Sequence, residues 1–202
     1  RDNSGPFTAH VATVDLAAVS SPDAVLASGQ LAALESTSSM ALRSGAALAI
    51  NGDYFLSNGR PVHAFAADGS LVQTPQLLGR AFGLDSSGTK VSMGFPDSQA
   101  SVTMTTATGT ATLAIPRWNS GRADGDTLSA YSSLGGTLET PPGGDCFAGL
   151  NYAGPRTVHA DGGIDSAMTV SGQRCSGNPP YVMPGTVMLD GSRFNASGNF
   201  LE

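Results

Sequence analysis

One carboxylate in this chain sits where chemistry is easiest to support. Ala46-Ala47-Leu48-Ala49-Ile50 is an apolar run of strand length that ends in Asn51-Gly52-Asp53-Tyr54-Phe55. Such a run predicts a strand buried on both faces. Asn51 and Gly52 favour a sharp backbone turn after it. Asp53 then emerges from the end of a rigid element onto a loop, where functional groups are often presented. Its carboxylate could act in chemistry, or simply accept backbone N–H bonds in a turn. Asn51 is either a ligand-orienting amide or a left-handed turn residue. His63, which follows Arg60-Pro61, could supply a general acid or orient an anion. Arg80 precedes an apolar strand and offers a forked contact to phosphate. Asn119 and Arg122 form a second candidate anion-contacting pair, or shape a loop. Asp161, Asp165 and Ser166 lie in a Gly-rich stretch that also reads as a plain turn.

Other site classes are poorly supported. His10, His63 and His159 lack metal-ligand spacing, and no metal site is expected. There is no Walker loop, dinucleotide fingerprint, Gly-x-Ser-x-Gly elbow or EF-hand spacing. No organic cofactor is implied.

The elements that must position these groups are mostly strands. His10 to Leu16 alternates at period two and predicts a strand, and 25–27 a second short one. A helix is expected from about 38 to 44, capped by Thr37 or Ser38 and stopped by Gly45. Residues 21–34 are the only other helix candidate, weakened by Gly29. Three hairpins are expected: 64–67 with 70–73 around Asp68-Gly69, 80–85 with 89–95 around Ser86-Ser87-Gly88, and 101–106 with 110–115 around Ala107-Thr108-Gly109. Residues 128–132 and 186–189 are further strands. The expected class is α+β, mostly antiparallel β-sheet with few short helices. Residues 1–8 read as an exposed arm and 9–202 as one domain, with a loop-rich excursion at 134–185.

Composition narrows the setting. The chain has 202 residues, 10 basic and 16 acidic, for a formal charge of −6, and Lys90 is its only lysine. With no basic cluster, nucleic acid is an unlikely partner. No run of 18 apolar residues occurs, so no membrane span is expected. Solubility comes from Ser, Thr, Gly and Asn, in an extracellular style. The chain starts at Arg1-Asp2-Asn3, consistent with removal of a leader. Cys146 and Cys175 are the only cysteines, and a disulfide is favoured over two free thiols in a reducing compartment.

The Asn51-Gly52-Asp53-Tyr54-Phe55 segment resembles the signature of the phosphodiester glycosidase domain family. Further pieces follow in the family's order. They are Thr37-Ser38-Ser39-Met40-Ala41 with Gly45-Ala46, Asn58-Gly59-Arg60-Pro61, Asp68-Gly69-Ser70-Leu71-Val72 and Arg80-Ala81-Phe82-Gly83-Leu84-Asp85. Trp118-Asn119-Ser120-Gly121-Arg122, Leu128-Ser129-Ala130-Tyr131 and Met183-Pro184-Gly185-Thr186-Val187-Met188-Leu189 complete the set. The likeness spans most of residues 9–202 and corresponds to the N-terminal part of that domain. It implies a secreted hydrolase that cleaves a sugar-1-phosphodiester in a glycan or cell-envelope polymer.

In that chemistry the transition state is oxocarbenium-like and phosphate is a good leaving group. The site then needs a carboxylate near the anomeric carbon and donors around the phosphate. The resemblance makes Asp53 and Asn51 the catalytic candidates, with Arg80, His63, Asn119, Arg122, Asp161 and Ser166 binding substrate. The family continues into a C-terminal half with an Asp-Gly-Gly-Gly-Ser-Ser type loop. Asp161-Gly162-Gly163-Ile164-Asp165-Ser166 is similar to that loop but comes too early, and is read as a mimic and a second site. The abrupt end at Leu201-Glu202 predicts a partner: a proteolytic or self-cleaved C-terminal fragment, or a second chain of the same precursor. Two rival readings are a non-catalytic carbohydrate-binding or adhesive β-domain, and a polysaccharide glycosidase of the same fold without phosphate specificity.

Overall fold

The structure, a computed structural model, describes residues 5, 8, 10–18, 22–67, 70–85, 87–105, 109–121, 128–135, 146–159, 164–175, 182 and 186–191. The expected turn residues Asp68, Gly69, Ser86, Ala107 and Thr108 lie outside these, as does most of the expected arm at 1–8.

Among the described residues one α-helix forms, α1 (Thr37–Ser44), in the expected region but starting earlier than a Thr37 or Ser38 cap would place it. Ser36 is the cap: its hydroxyl accepts the Ser39 amide at 3.2 Å. Gly45 closes the helix in the left-handed region, at φ 67°. No residue of α1 is buried, so local bonds rather than packing hold it. Glu35 organises them. Its carboxylate accepts from Arg43 at 2.9 Å, the Ser39 hydroxyl at 2.8 Å and the Ser28 amide at 2.7 Å. These bonds, Arg43's first, hold its pKa down at about 2, against an ordinary 4.5. A depressed carboxylate pKa stabilises the folded form above its unfolded value and loses that contribution as pH falls. The α1 region is therefore expected to loosen as pH drops from about 4.5 through about 2. Amide exchange over α1 checks this, and Glu35→Gln should remove the pH dependence.

The rest is β structure. Three antiparallel hairpins follow one another, as expected: β1 (Phe65–Ala67) with β2 (Ser70–Gln73), β3 (Ala81–Leu84) with β4 (Val91–Gly94), and β5 (Ser101–Thr105) with β6 (Thr110–Ala114). A short β7 (Arg117–Trp118) then runs parallel to β8 (Ser129–Ser132). β9 (Cys146–Tyr152), the small β10 (Thr157–Val158) and β11 (Ile164–Asp165) pair, β12 (Met168–Arg174) and β13 (Thr186–Gly191) complete the set. The main sheet has the order β12-β9-β13-β8-β7, antiparallel except at β7–β8.

Its middle strands are buried on both faces. Leu128, Ala130, Cys146, Ala148, Leu150, Val187 and Leu189 share one core with Ile115, and Tyr131, Phe147 and Met188 pack with Val182 in another. The alternation of 187, 188 and 189 between the two cores is the period-two pleat made visible. Cys146 and Cys175 form the expected disulfide, tying β9 to the residue after β12. Replacing both cysteines with Ala is expected to cost about 3.5 kcal/mol, the loop-closure value for about 30 residues. Urea unfolding of the double variant measures it.

Four expectations are corrected. Residues 46–50 form no strand; the segment is irregular and exposed, with Ile50 83% accessible and no strand paired to it among the described residues. Residues 10–16 form none either. Asp15 instead starts a 3₁₀ turn at Leu16–Ala18, its carboxylate taking the Ala17 amide at 3.0 Å. Residues 25–27 lead into a 3₁₀ turn at Ala27–Gly29, and no longer helix forms over 21–34, since the Ser28 amide is bound by Glu35. The span 134–185, expected to be loop-rich, carries β9 and β12, and β9 lies inside the sheet. Its glycines are accommodated because Gly149 and Gly172 face each other across the β9–β12 ladder.

Candidate functional site

The loop after residue 52 folds back on itself. The Leu56 amide bonds the Arg60 carbonyl at 2.8 Å and the Val62 amide the Tyr54 carbonyl at 3.1 Å, around an Asn58-Gly59 turn. Phe55 bridges Pro61. This ten-residue return places His63 against Asp53. Asp53 Oδ1 lies 2.6 Å from His63 Nδ1 and accepts the Tyr54 amide at 2.7 Å, and its Oδ2 accepts the His63 amide at 3.1 Å. A carboxylate oxygen accepts here, so the pairing places a proton on His63 Nδ1. Nε2 is then left to exchange a proton with a bound molecule. Both side chains are partly accessible, 29% for Asp53 and 25% for His63.

Two residues that sequence reasoning passed over fix the imidazole. Gln73, fully buried at the end of β2, donates its amide to the carbonyls of Pro61 at 2.7 Å and His63 at 2.9 Å. Gly79 lies under the ring, where any Cβ would collide with Cδ2 and Nε2. Its lack of a side chain is what lets the ring sit there. Gly79→Ala is expected to push His63 off Asp53 and to cost about 10²-fold in any activity that uses the pair. Loss of the low-field Nδ1–H proton signal would report the displacement directly. The signal for Gln73 was available in part: it alternates with Leu71 in a strand, which marks it as inward or outward with no cue to its partner.

The other expected site residues separate. Asn51 is exposed beside Asp53, with no hydrogen bond from its side chain among the described residues. Arg80 is exposed and stands 5.7 Å from the centroid of the Phe95 ring, a cation–π contact. It makes no hydrogen bond or ion pair to Asp53. Ser166 is half-buried beside Asp165, whose carboxylate pairs with His159 at 2.8 Å on the β10–β11 hairpin. Arg122 and Asp161 lie outside the described residues.

Of the two readings of Asn119, an anion contact or a loop-shaping residue, its surroundings match the second. It is fully buried, at φ 52°. Its Nδ2 donates to the Val72 carbonyl and the Ser132 hydroxyl, and its Oδ1 accepts the Ser132 amide, all at 2.8 Å. Every side-chain polar atom is thus consumed in joining β2 to β8. Arg60 assists from below: its guanidinium bonds the Asn119 carbonyl and the Gly135 carbonyl, the latter at 2.6 Å.

Asp53 and Asn51 open onto a cavity of about 3280 Å³, which Asp165 and Ser166 also line. Among the described residues, no group of three or more His, Cys, Asp or Glu side chains is arranged to hold a metal ion. No helix among the described residues is long and apolar enough to cross a membrane. The arrangement is that of a carboxylate on the wall of a large, mostly apolar opening, positioned by the imidazole behind it. No protein-family model matches this chain, and neither a curated protein nor a solved structure matches it.

Proposed function

We propose that this protein is a secreted glycoside hydrolase, acting on a sugar-1-phosphodiester in a glycan or cell-envelope polymer, as the resemblance to phosphodiester glycosidases implies. The observation that supports the reading is the 2.6 Å contact of His63 with Asp53, which lines the cavity. A carboxylate held by three donors keeps its place beside an oxocarbenium-like centre. His63, after taking up a proton from solvent at Nε2, passes it to the leaving oxygen. The disulfide fits an oxidising compartment. The reading includes a partner polypeptide, a C-terminal fragment or second chain of the same precursor, that finishes the sugar site.

The test is hydrolysis of a synthetic N-acetylglucosamine-1-phosphodiester, following free sugar and phosphomonoester separately. Turnover inhibited by inorganic phosphate supports the proposal. Turnover of an ordinary polysaccharide, insensitive to phosphate, would favour the phosphate-free glycosidase. One observation speaks for that alternative: Arg80, the cation expected at the phosphate, packs on Phe95. Glycan binding with no product at high protein concentration would leave a carbohydrate-binding domain.

A further inference from the structure

The strongest strand in the sequence is the one that does not form. Residues 46–50 are apolar and short, and would be buried in a finished sheet. Here Leu48 and Ile50 are 54% and 83% exposed. Among the described residues, the backbone amides and carbonyls of 47–52 have no hydrogen-bond partner. A conflict this sharp between local pattern and observed state points to a missing neighbour.

The surroundings say what that neighbour is. Phe82, Met93 and Phe95, from the β3–β4 hairpin and its exit, line the same cavity and are also exposed. An isolated two-stranded hairpin is marginal in water and needs a third strand or a packed face. The cavity, at about 3280 Å³, exceeds the roughly 300–1,000 Å³ of small-molecule sites. Unpaired main-chain groups ask for main-chain partners, which sugars and lipids lack and a strand supplies in register. Charge narrows the partner further. Six carboxylates line the cavity, Asp85 and Asp97 among them, against one guanidinium, Arg156.

We infer that residues 46–52 and the β3–β4 hairpin, which line the same cavity, form a strand-accepting surface for a partner polypeptide. Its docking segment alternates apolar and polar residues and carries Arg or Lys. It pairs with 46–52 and orders that segment as a strand. Asp53 follows immediately, so docking also fixes the backbone that carries the carboxylate and brings positive charge beside it. The inference gives a location and a chemistry to the partner of the proposed glycosidase, but rests on this surface and not on any activity.

The experiment places the photo-crosslinker p-benzoylphenylalanine at position 50, in the full chain made by its own host. The same probe at Val11, exposed and outside the cavity, is the control. The expected result is one discrete adduct from position 50. Its attached peptide lies outside residues 1–202, alternates in polarity and contains Arg or Lys. Ala49→Pro, which removes an amide donor from the segment, should cut the yield about tenfold. Amides of 47–52 should exchange slowly in the complex and fast in the isolated chain. Adducts confined to residues 1–202, adducts to a second copy, or a yield no higher than at Val11 would each overturn the inference. So would fast exchange in the native-source protein. None of these readouts involves turnover, so an inactive protein that gives the expected adduct refutes only the glycosidase reading.

Discussion

Asp53→Asn is expected to lower turnover of the sugar phosphodiester by at least about 10²-fold, the scale of a positioned proton-transfer pair, while the folded state persists. The Asn carbonyl can still accept the Tyr54 amide that Asp53 Oδ1 takes at 2.7 Å. It cannot offer two acceptor oxygens to His63, which Asp53 contacts through Nδ1 at 2.6 Å and through the backbone amide at 3.1 Å. The charge beside the anomeric carbon also disappears, and that charge is what an oxocarbenium-like state requires. The loss should fall on kcat more than on KM, because the interaction matures in the transition state. The site is part-exposed, so the thermal midpoint should change little. Unchanged turnover would remove Asp53 from the mechanism.

Asn119→Ala carries the largest expected effect on stability, about 3–5 kcal/mol. Two buried backbone groups, the Val72 carbonyl and the Ser132 amide, lose their partner, at about 1–3 kcal/mol each. Alanine must also adopt φ 52°, which Asn tolerates better. Asn119→Gly separates the two causes: it relieves the backbone and leaves the hydrogen bonds missing. Urea titration of both variants gives the ordering, with Gly the milder. A substrate-binding Asn119 would behave in the opposite way, raising KM and leaving the unfolding midpoint where it was.

What was legible in the sequence follows from locality. The three hairpins announced themselves through turn residues flanked by strand-like runs, and α1 through a cluster of hydroxyl residues before it and Gly45 after it, although the cap is Ser36 and not Thr37 or Ser38. The Asp53–His63 contact was half legible: both residues stood out, and the Asn58-Gly59 turn between them sets the return that joins them. β9 and β12 were hidden because Gly149, Gly172 and their Ser and Thr neighbours look like loop until a facing strand is known. Asn119 stayed open between an anion contact and a loop-shaping residue because a polar residue in a loop reads as accessible, and only the β2–β8 packing reveals its burial. The segment at 46–50 failed differently. Its pattern is that of a strand, and a strand exists only with a neighbour to bond.

The strand order of the main sheet bears on how the chain is made. β13 lies between β9 and β8, although the sequence reaches it after both. Until it leaves the ribosome, β8 and β9 have no common neighbour, and the apolar side chains of Leu128, Ala130, Ala148 and Leu150 cannot close over Val187 and Leu189. At about 5–20 residues per second, that leaves a nascent chain with open strand edges for several seconds. Chaperone dependence during synthesis, and aggregation when translation halts ahead of residue 186, are built into this topology.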